Sequence, residues 1–393
     1  MFNWIVVAGA TLYAMALLLL RRGIRDALRD ASKVSTESFP PAAVVVAARN
    51  EAKNIEACLR SLLNQDYPPD RLQILIVDDR SEDGTGEIVR QVAEGQHDLQ
   101  VKLLRIDQVP AGFAPKKYAL SRAIEHTSAE IVLTTDADCR PGPRWVASMV
   151  RLFDRQTGLA IGFSPLTAAK LHKWQELLYR LDSLALAAVA AGSLGLGYPL
   201  TCTGRNLAYR RSLFLELNGF GKYAGIPSGD DDLFLSRVRE ETSWKIRYAF
   251  APDAHVPAEP VGTSRAFWNQ RIRHASKALL YPVPMRLLLA GLYLFNVGFL
   301  GAMLSAGFSG NVLPLVLIWL LKSLPETALV CEGAKALQFR AAWWLVPLVS
   351  PVHALYVAIF GAAGQLAAFE WKGRTFSSAV TLGGANCSTG SSI

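Results

Sequence analysis

The sequence predicts an α/β domain, built on a mostly parallel β-sheet flanked by helices, together with transmembrane α-helices. Two observations support this fold class. Between residue 39 and about residue 260, short runs rich in β-branched residues alternate with segments of helical periodicity. Long uncharged runs stand on both sides of that region, and 51% of all residues are hydrophobic. We therefore expect one globular domain held between membrane segments.

The first apolar run predicts a membrane anchor over residues 1–22. Trp4 to Leu20 carries no charge, and at about 1.5 Å per residue it just crosses the hydrocarbon core. Positive charges follow the run instead of preceding it, which favours an uncleaved anchor over a signal peptide. The charges at its exit are Arg21, Arg22, Arg25, Arg29 and Lys33. By the positive-inside rule we expect the globular domain to lie in the cytoplasm. We expect the chain to be a multi-pass protein of a bacterial inner membrane.

Three strand predictions in the globular region each end in polar residues. They are "AAVVVAARNE" (42–51), "LQILIVDDRSEDGTG" (72–86) and "AEIVLTTDADC" (129–139), and helical periodicity lies between them. Such alternation indicates parallel strands joined by right-handed crossovers, and ligands of these sheets bind at the carboxyl ends of the strands. The sequence therefore predicts that five acidic residues gather at one edge: Glu51, Asp78, Asp79, Asp136 and Asp138.

The Asp-Ala-Asp sequence predicts a divalent cation. If residues 131–138 are extended, Asp136 and Asp138 point to the same side, and two like charges are costly there without a cation. One or two carboxylates, completed by water and substrate phosphates, suit Mg²⁺ or Mn²⁺. Simpler interpretations stay open: a solvated loop for this pair, a turn for Asp78 and Asp79, and a helix N-terminal charge for Glu51.

Several motifs, in the same order, resemble the inverting nucleotide-sugar glycosyltransferases of family two, over roughly residues 40–280. The resemblance implies a Rossmann-related catalytic domain of the kind called GT-A. It is carried by these segments: "ARNEAKNIEACLRSLLNQDYP", "VDDRSEDGT", "KKYAL", "DAD", "TGRNLAYRR", "SGDDDLFLSR" and "QRIRH".

The resemblance also implies roles for individual residues. Donor or nucleotide binding falls to Ala47, Arg49, Glu51, Asp78, Asp79, Lys116, Asp136, Arg205, Asn206, Gln270 and Arg273. Asp138 is the expected direct metal ligand, with Asp136 beside it. The general base falls on Asp231, although the run of three acids permits Asp230 instead. His274 stands where membrane-embedded members carry a tryptophan, which argues against processive extension.

The chemistry asks for these residue types independently of the resemblance. Breaking the bond between a sugar and a nucleoside diphosphate leaves negative charge on the departing phosphate, which a metal ion and cations such as Lys116 and Arg273 stabilise. A carboxylate near the sheet edge takes the proton of the attacking hydroxyl. Attack opposite the leaving group inverts the anomeric centre without a covalent intermediate.

The C-terminal part predicts a membrane region over residues 286–370. It follows an amphipathic, basic and aromatic segment (261–285) that suits the membrane interface, and it precedes a polar tail (371–393). His255 is predicted to be a core or loop residue. Several spans after the site suggest that the acceptor, or the product, resides in the bilayer.

We therefore expect a membrane glycosyltransferase that moves a sugar from a nucleotide donor to a lipid or lipid-linked acceptor. Its cofactor would be Mg²⁺ or Mn²⁺, and the catalytic domain would span residues 38–260. A net charge of +8 fits an anionic membrane surface, and no basic stripe interleaved with aromatics points to nucleic acid. The alternatives are a processive polysaccharide synthase and a non-enzymatic transporter or scaffold that binds a nucleotide.

Overall fold

A computed structural model describes residues 2–34, 38–94, 100–167, 172–310, 312–371 and 374–376. Most of the predicted polar tail, from residue 377 onward, lies outside the described residues. The chain divides into two compact units. One comprises residues up to Leu18, residues 261–328 and the chain from Trp344 onward; the other comprises Leu19–Pro260 and Leu329–Trp343.

Helices and strands alternate through the first two thirds of the chain, as the periodicity predicts. The strands are β1 (Ala42–Ala48), β2 (Leu72–Asp79), β3 (Gln100–Ile106), β4 (Ile131–Asp136), β5 (Thr157–Gly162), β6 (Leu207–Arg210), β7 (Lys245–Ala249), β8 (Phe369–Trp371) and β9 (Arg374–Phe376). The helices are α1 (Phe2–Ser32), α2 (Ile55–Leu63), α3 (Thr85–Glu94), α4 (Pro115–Glu125), α5 (Trp145–Val150), α6 (Lys173–Gly195), α7 (Arg211–Glu216), α8 (Asp232–Glu241), α9 (Ser264–Ala275), α10 (Val283–Ser309), α11 (Val312–Ala336) and α12 (Val346–Leu366).

A seven-stranded sheet forms the centre of the larger unit, in the order β3-β2-β1-β4-β6-β5-β7. All neighbouring pairs are parallel except those of β6, which runs antiparallel to β4 and β5. The strands β1, β2 and β4 are almost continuously buried, which is typical of parallel strands covered on both faces. The predicted mostly parallel sheet flanked by helices is therefore confirmed.

The sheet register places two of the predicted acidic residues, Asp78 and Asp136, at the same edge of the sheet. Strand β1 lies between β2 and β4, with Ala48 opposite Asp78 and Ala47 opposite Asp136. Both aspartates thus stand at the carboxyl edge, one strand to each side of β1. The predicted extension of β4 to Asp138 is wrong. The strand ends at Asp136, because the Asp136 carbonyl accepts a hydrogen bond from the Cys139 amide at 3.1 Å and closes a turn.

Within the part of the chain that the structure describes, five helices are long and apolar enough to cross a membrane. Four of them, α1, α10, α11 and α12, cover the apolar runs of the sequence. Pro325 lies inside α11 and Pro351 inside α12, so neither proline ends its helix. Within the predicted amphipathic segment, α9 ends at Ala275, a 3-10 helix spans Ala278–Leu280, and α10 begins at Val283.

The fifth apolar helix, α6, packs closely against the second half of α1. A Cβ atom added to Gly195 would lie 1.8 Å from the carbonyl oxygen of Gly23, and one added to Gly23 would lie 2.0 Å from that of Gly192. Only glycine permits such close backbone approach, which is a common device where apolar helices pack.

Candidate active site

The loops after β1 and β2 bind each other at the sheet edge. The Asn50 amide donates to Ser81 Oγ at 3.0 Å, and the Asn50 side chain accepts from the Glu82 amide at 3.0 Å. Asn50 adopts the left-handed conformation (φ 53°), which asparagine tolerates better than most residues. Asp83 accepts from the Ala52 amide at 2.9 Å. These hydrogen bonds hold the loop after β1 against the loop after β2, so the two loops form one polar surface.

Asp78 and Asp79 are both buried at this edge, but their environments differ. Asp78 accepts a hydrogen bond from the Ser81 amide at 3.0 Å. A Cβ atom added to Gly86 would lie 2.7 Å from Asp78 Oδ2, so glycine is needed for the carboxylate to keep its position. Asp79 pairs with Arg80 at 2.7 Å, and Arg49 lies 4.0 Å from its other oxygen. Asp78 is therefore the better placed of the two to accept from a ligand.

Lys116 connects the end of β4 to the acidic run before α8. Its Nζ lies 2.8 Å from Asp136 Oδ1 and 2.9 Å from Asp230 Oδ2. Burial alone would lower the pKa of Lys116, but the charges of both aspartates raise it above its ordinary value. Burial likewise opposes ionisation of Asp136, yet Lys116 holds the pKa of that carboxyl below its ordinary value. The three side chains form a charged cluster, with Lys116 ionised.

Asp138 stands on the turn after β4, and its side chain is more exposed than that of Asp136. Partial desolvation and then the charge of Asp136 raise its pKa above the ordinary value. Among the described residues, no group of three His, Cys, Asp or Glu side chains has the arrangement of a metal site. A pair of carboxylates still fits Mg²⁺ or Mn²⁺, which complete their shells with water and substrate phosphates.

Asp230 and Asp231 are neighbours in the chain with separate partners. Asp231 caps the N-terminus of α8, where its Oδ1 accepts from the Asp232 amide at 2.7 Å. Its Oδ2 accepts from the Gly204 amide at 3.1 Å. Asp230 instead pairs with Lys116. The Asp231 carboxylate is thus held in one orientation by backbone groups, and the sequence motif alone did not indicate Gly204 as the residue that holds it.

Asn206 does not have the surroundings of a donor-binding residue. The residue is fully buried, and its Nδ2 donates to the carbonyls of Phe163 and Ala254, both at 2.8 Å. Its Oδ1 accepts from Trp145 Nε1 at 2.9 Å. Both polar atoms of the Asn206 side chain, Nδ2 and Oδ1, are therefore hydrogen-bonded to groups inside the protein. The prediction of direct donor contact therefore needs correction: Asn206 fixes the loop that carries Gly204 and Arg205.

The remaining predicted site residues fall into two groups. Ala47 and Glu51 lie at the end of β1 and just beyond it, and Arg205 is close enough to lower the pKa of Asp136 and Asp138. Gln270 and Arg273 lie on α9, in the other unit of the chain. Their roles stay predictions.

Lys117 has a structural role that the sequence did not show. It is buried, and its Nζ donates to the carbonyls of Tyr223 and Ser228 at 2.6 and 3.0 Å. This ties the start of α4 to the segment that leads into Asp230. The doublet at 116–117 thus places one lysine in the charged cluster and the other beneath it.

A cavity of about 370 Å³ lies beside the loop that follows Asp138. Arg140, Thr167, His255 and Phe339 are among its lining residues. The His255 ring packs edge-on against Phe163, with 5.1 Å between the ring centroids. Burial lowers the pKa of His255 to about 4. This placement agrees with the prediction of a core or loop residue.

Comparisons with known proteins identify similar sequences and similar structures. A family model described as glycosyl transferase family 2 matches residues 43–217, and one described as glycosyl transferase family group 2 matches residues 131–360. The chain is 29% identical over 246 residues to a probable glycosyltransferase, YdaM, of Bacillus subtilis, covering 61% of this chain and 55% of YdaM. It is also 29% identical over 252 residues to a beta-monoglucosyldiacylglycerol synthase of Trichormus variabilis, covering 63% and 51%.

This chain thus spans about half the length of these curated relatives. Among solved structures, a mannosyltransferase from Pyrobaculum calidifontis, in complex with GDP-Man and Mn²⁺, is similar with a TM-score of 0.55. That match covers 93% of this chain and 99% of the other at 22% identity, which supports the fold.

Proposed function

The chain belongs to the family 2 group of glycosyltransferases, and on that premise we propose that it is a metal-dependent, inverting enzyme of membrane lipids. It would transfer a sugar from a nucleotide-sugar donor to a lipid or lipid-linked acceptor. One observation carries the proposal: Asp136, Lys116 and Asp230 form one charged cluster at the carboxyl edge of the sheet. Asp231, the candidate base, is the next residue in the chain.

The donor's nucleoside would bind at the ends of β1 and β2. Gly86 places no side chain next to Asp78 Oδ2. We propose that this oxygen accepts a hydrogen bond from a ribose hydroxyl or a base. The loop contacts of Asn50 and Asp83 preorganise this surface, which lowers the cost of binding. We propose Asp78 as the main contact and Asp79 as the residue that positions Arg49 and Arg80.

The diphosphate would lie against the charged cluster. Lys116 is near the N-terminus of α4, an end that favours negative charge, and Arg205 adds a second cation. Asp136 and Asp138 would hold the divalent cation, which neutralises charge on the leaving phosphate when bound. These residues together would stabilise the charge that develops as the sugar departs.

We propose that Asp231 takes the proton from the acceptor hydroxyl. The backbone amides of Gly204 and Asp232 donate to its two oxygens and hold the carboxylate in one orientation. Asp230 is less suited because its oxygen is committed to Lys116. Attack from the face opposite the leaving diphosphate would invert the anomeric centre.

The acceptor is proposed to be a lipid for two reasons. The described residues include five helices of membrane-spanning length and composition. One of its relatives is named for a glucosylated diacylglycerol. We propose that α1, α10, α11 and α12 cross the membrane and that the sheet-bearing unit lies in the cytoplasm. The arginines after residue 20 support this orientation.

The test supplies membranes containing the protein with radiolabelled nucleotide sugars and Mn²⁺ or Mg²⁺. We expect label in the organic extract, release of nucleoside diphosphate, and loss of both in EDTA. Asp231→Asn should lower transfer by about 10²- to 10⁴-fold, because the general base is lost. Asp70→Asn is the control, since that side chain is 79% exposed on a distant loop.

Other outcomes would point elsewhere. Label in an insoluble polymer instead of the organic extract would favour the processive synthase. Nucleotide binding without any turnover would favour the non-enzymatic alternative. Full transfer by Asp231→Asn would rule out Asp231 as the base.

A further inference from the structure

Lys116 occupies a position between two carboxylates that the proposed reaction uses differently. The Lys116 ammonium donates to Oδ1 of Asp136, a proposed metal ligand, at 2.8 Å. The same ammonium lies 2.9 Å from Oδ2 of Asp230, the residue next to the proposed base. One protein cation therefore neutralises part of the negative charge that would also attract a divalent cation.

The helix that carries Lys116 is fixed, whereas the side chain itself is partly exposed. Lys116 follows Pro115 at the start of α4, and the neighbouring Lys117 ties that helix to the carbonyls of Tyr223 and Ser228. The Lys116 side chain is 24% exposed. A lysine ammonium on a flexible four-carbon stem can change partners without movement of the helix.

A divalent cation and the ammonium would compete for Asp136. Like charges repel strongly at a few ångströms wherever water is partly excluded. A nucleotide changes the balance, because its diphosphate brings new anionic oxygens that can accept from the ammonium. Metal and nucleotide arriving together would satisfy all of these charges, whereas metal alone would leave the ammonium displaced.

We propose that Lys116 is an exchangeable counter-ion. It holds Asp136 and Asp230 together in the ligand-free protein and moves to the diphosphate when metal and nucleotide bind. This rests on the proposed function, since it takes Asp136 as a metal ligand. The consequence is that Lys116 weakens metal binding in the absence of nucleotide and strengthens nucleotide binding, so the same residue couples the two ligands.

The test measures Mn²⁺ binding to the purified full-length protein in detergent by electron paramagnetic resonance, with no nucleotide present. Lys116→Gln removes the charge and keeps a hydrogen-bond donor for the carboxylates. We expect Lys116→Gln to bind Mn²⁺ about fivefold more tightly than the wild type, or better, because the competing cation is gone. GDP and UDP, used as separate probes, should bind more weakly to the variant.

Lys102→Gln is the matched control, because Lys102 is an exposed lysine on the edge strand β3 and its loss changes net charge equally. The wild type gives an independent arm that needs no variant: GDP or UDP should raise its Mn²⁺ affinity by about fivefold or more.

Two results would overturn the proposal. Unchanged or weaker Mn²⁺ binding by Lys116→Gln would remove the counter-ion role while leaving the metal site intact, as would equal Mn²⁺ affinity of the wild type with and without nucleotide. Absence of Mn²⁺ binding to every protein, even with GDP or UDP, would overturn the proposed metal dependence as well.

Discussion

Asp230 and Asp231 show how far neighbouring residues can differ in chemistry. The sequence motif left open which of them acts as the base, because adjacent acids in a turn are equivalent in a pattern. The structure separates them through their partners: an ammonium for Asp230, two backbone amides for Asp231. One of the amides belongs to the adjacent Asp232, but Lys116 and Gly204 lie far away in the chain, so a local pattern could not assign the roles.

Asn206 illustrates the opposite case, in which a motif residue acts through packing. A Gly-x-Asn segment was expected to contact the donor, but the asparagine amide is used to join β5, α5 and the segment near Ala254. Sequence reasoning had no means to find Trp145, which is 61 residues away.

Asn206→Ala should therefore lower stability more than ligand affinity. The substitution leaves the Ala254 carbonyl and the Trp145 indole N–H without the Asn206 amide, each costing about 1–3 kcal/mol. It also removes one of the two hydrogen bonds to the Phe163 carbonyl, which keeps the one from the Val256 amide. We expect the free energy of unfolding to fall by about 2–5 kcal/mol in thermal or denaturant unfolding. Asn64→Ala is the control, because Asn64 is exposed. A variant with unchanged stability and weakened GDP or UDP binding would restore direct donor contact.

His255 should make the stability depend on pH. Its pKa is about 4 in the folded protein, against about 6.5 in an unfolded chain. As pH falls from about 6.5 to about 4, the unfolded chain therefore binds the proton first, and the free energy of unfolding decreases. Below about pH 4 this contribution is fully lost.

His255→Gln should remove roughly 1–3 kcal/mol of that decrease, since the shift applies to a partly accessible ring. The measurement is denaturant unfolding at pH 7 and pH 4, with the exposed His126→Gln as control. An identical acid dependence in His255→Gln and wild type would show that other groups account for it.

At the scale of elements, the apolar runs in the sequence predicted the central strands, because a strand that is buried on both faces needs apolar residues at nearly every position. β1, β2 and β4 are continuous apolar runs, and their ends carry polar residues wherever the chain leaves the core. The edge strand β3 has exposed and half-exposed positions, so it lacks that signal and was missed. The packing of α6 on α1 depends on glycine contacts between distant segments, which periodicity does not report.

One polar cluster within an otherwise apolar helix ties three helices together. Lys322 on α11 pairs with Glu326 at 2.6 Å and donates to Ser350 Oγ on α12 at 3.1 Å. Tyr13 on α1 donates to Glu326 at 2.7 Å. The four-residue spacing of Lys322 and Glu326 allows the two side chains to pair on one face of a helix. The uninterrupted helix α11 favours the pair.

Removing one charge of this pair should be worse than removing both. Lys322→Met leaves Glu326 among apolar groups and should destabilise the detergent-purified protein by about 3–5 kcal/mol. Lys322→Met with Glu326→Gln removes both charges and keeps an acceptor for Tyr13, so most of that loss should be recovered. The measurement is thermal unfolding, with Lys335→Met as control because Lys335 is exposed on the same helix. Equal losses in the single and double variants would exclude this charge-pair account.

At the scale of the molecule, the order of strands and motifs along the chain predicts the fold and the family as much as the amino-acid composition does. The sequence predicted an α/β sheet with acids at its carboxyl edge, and the strand order β2-β1-β4 brings Asp78 and Asp136 to that edge on either side of one strand. Donor sugar and acceptor were not predictable, because their specificity depends on pocket shape, which sequence motifs do not report.

The central claim is that Asp136 and Asp138 hold a cation that binds the diphosphate of the donor. The most direct measurement is binding of GDP and UDP to the wild type and to Asp136→Ala/Asp138→Ala, each with Mn²⁺ and with EDTA. The account predicts that Mn²⁺ strengthens nucleotide binding to the wild type and has no effect on the double variant. Equal nucleotide affinity of both proteins, with and without metal, would contradict it.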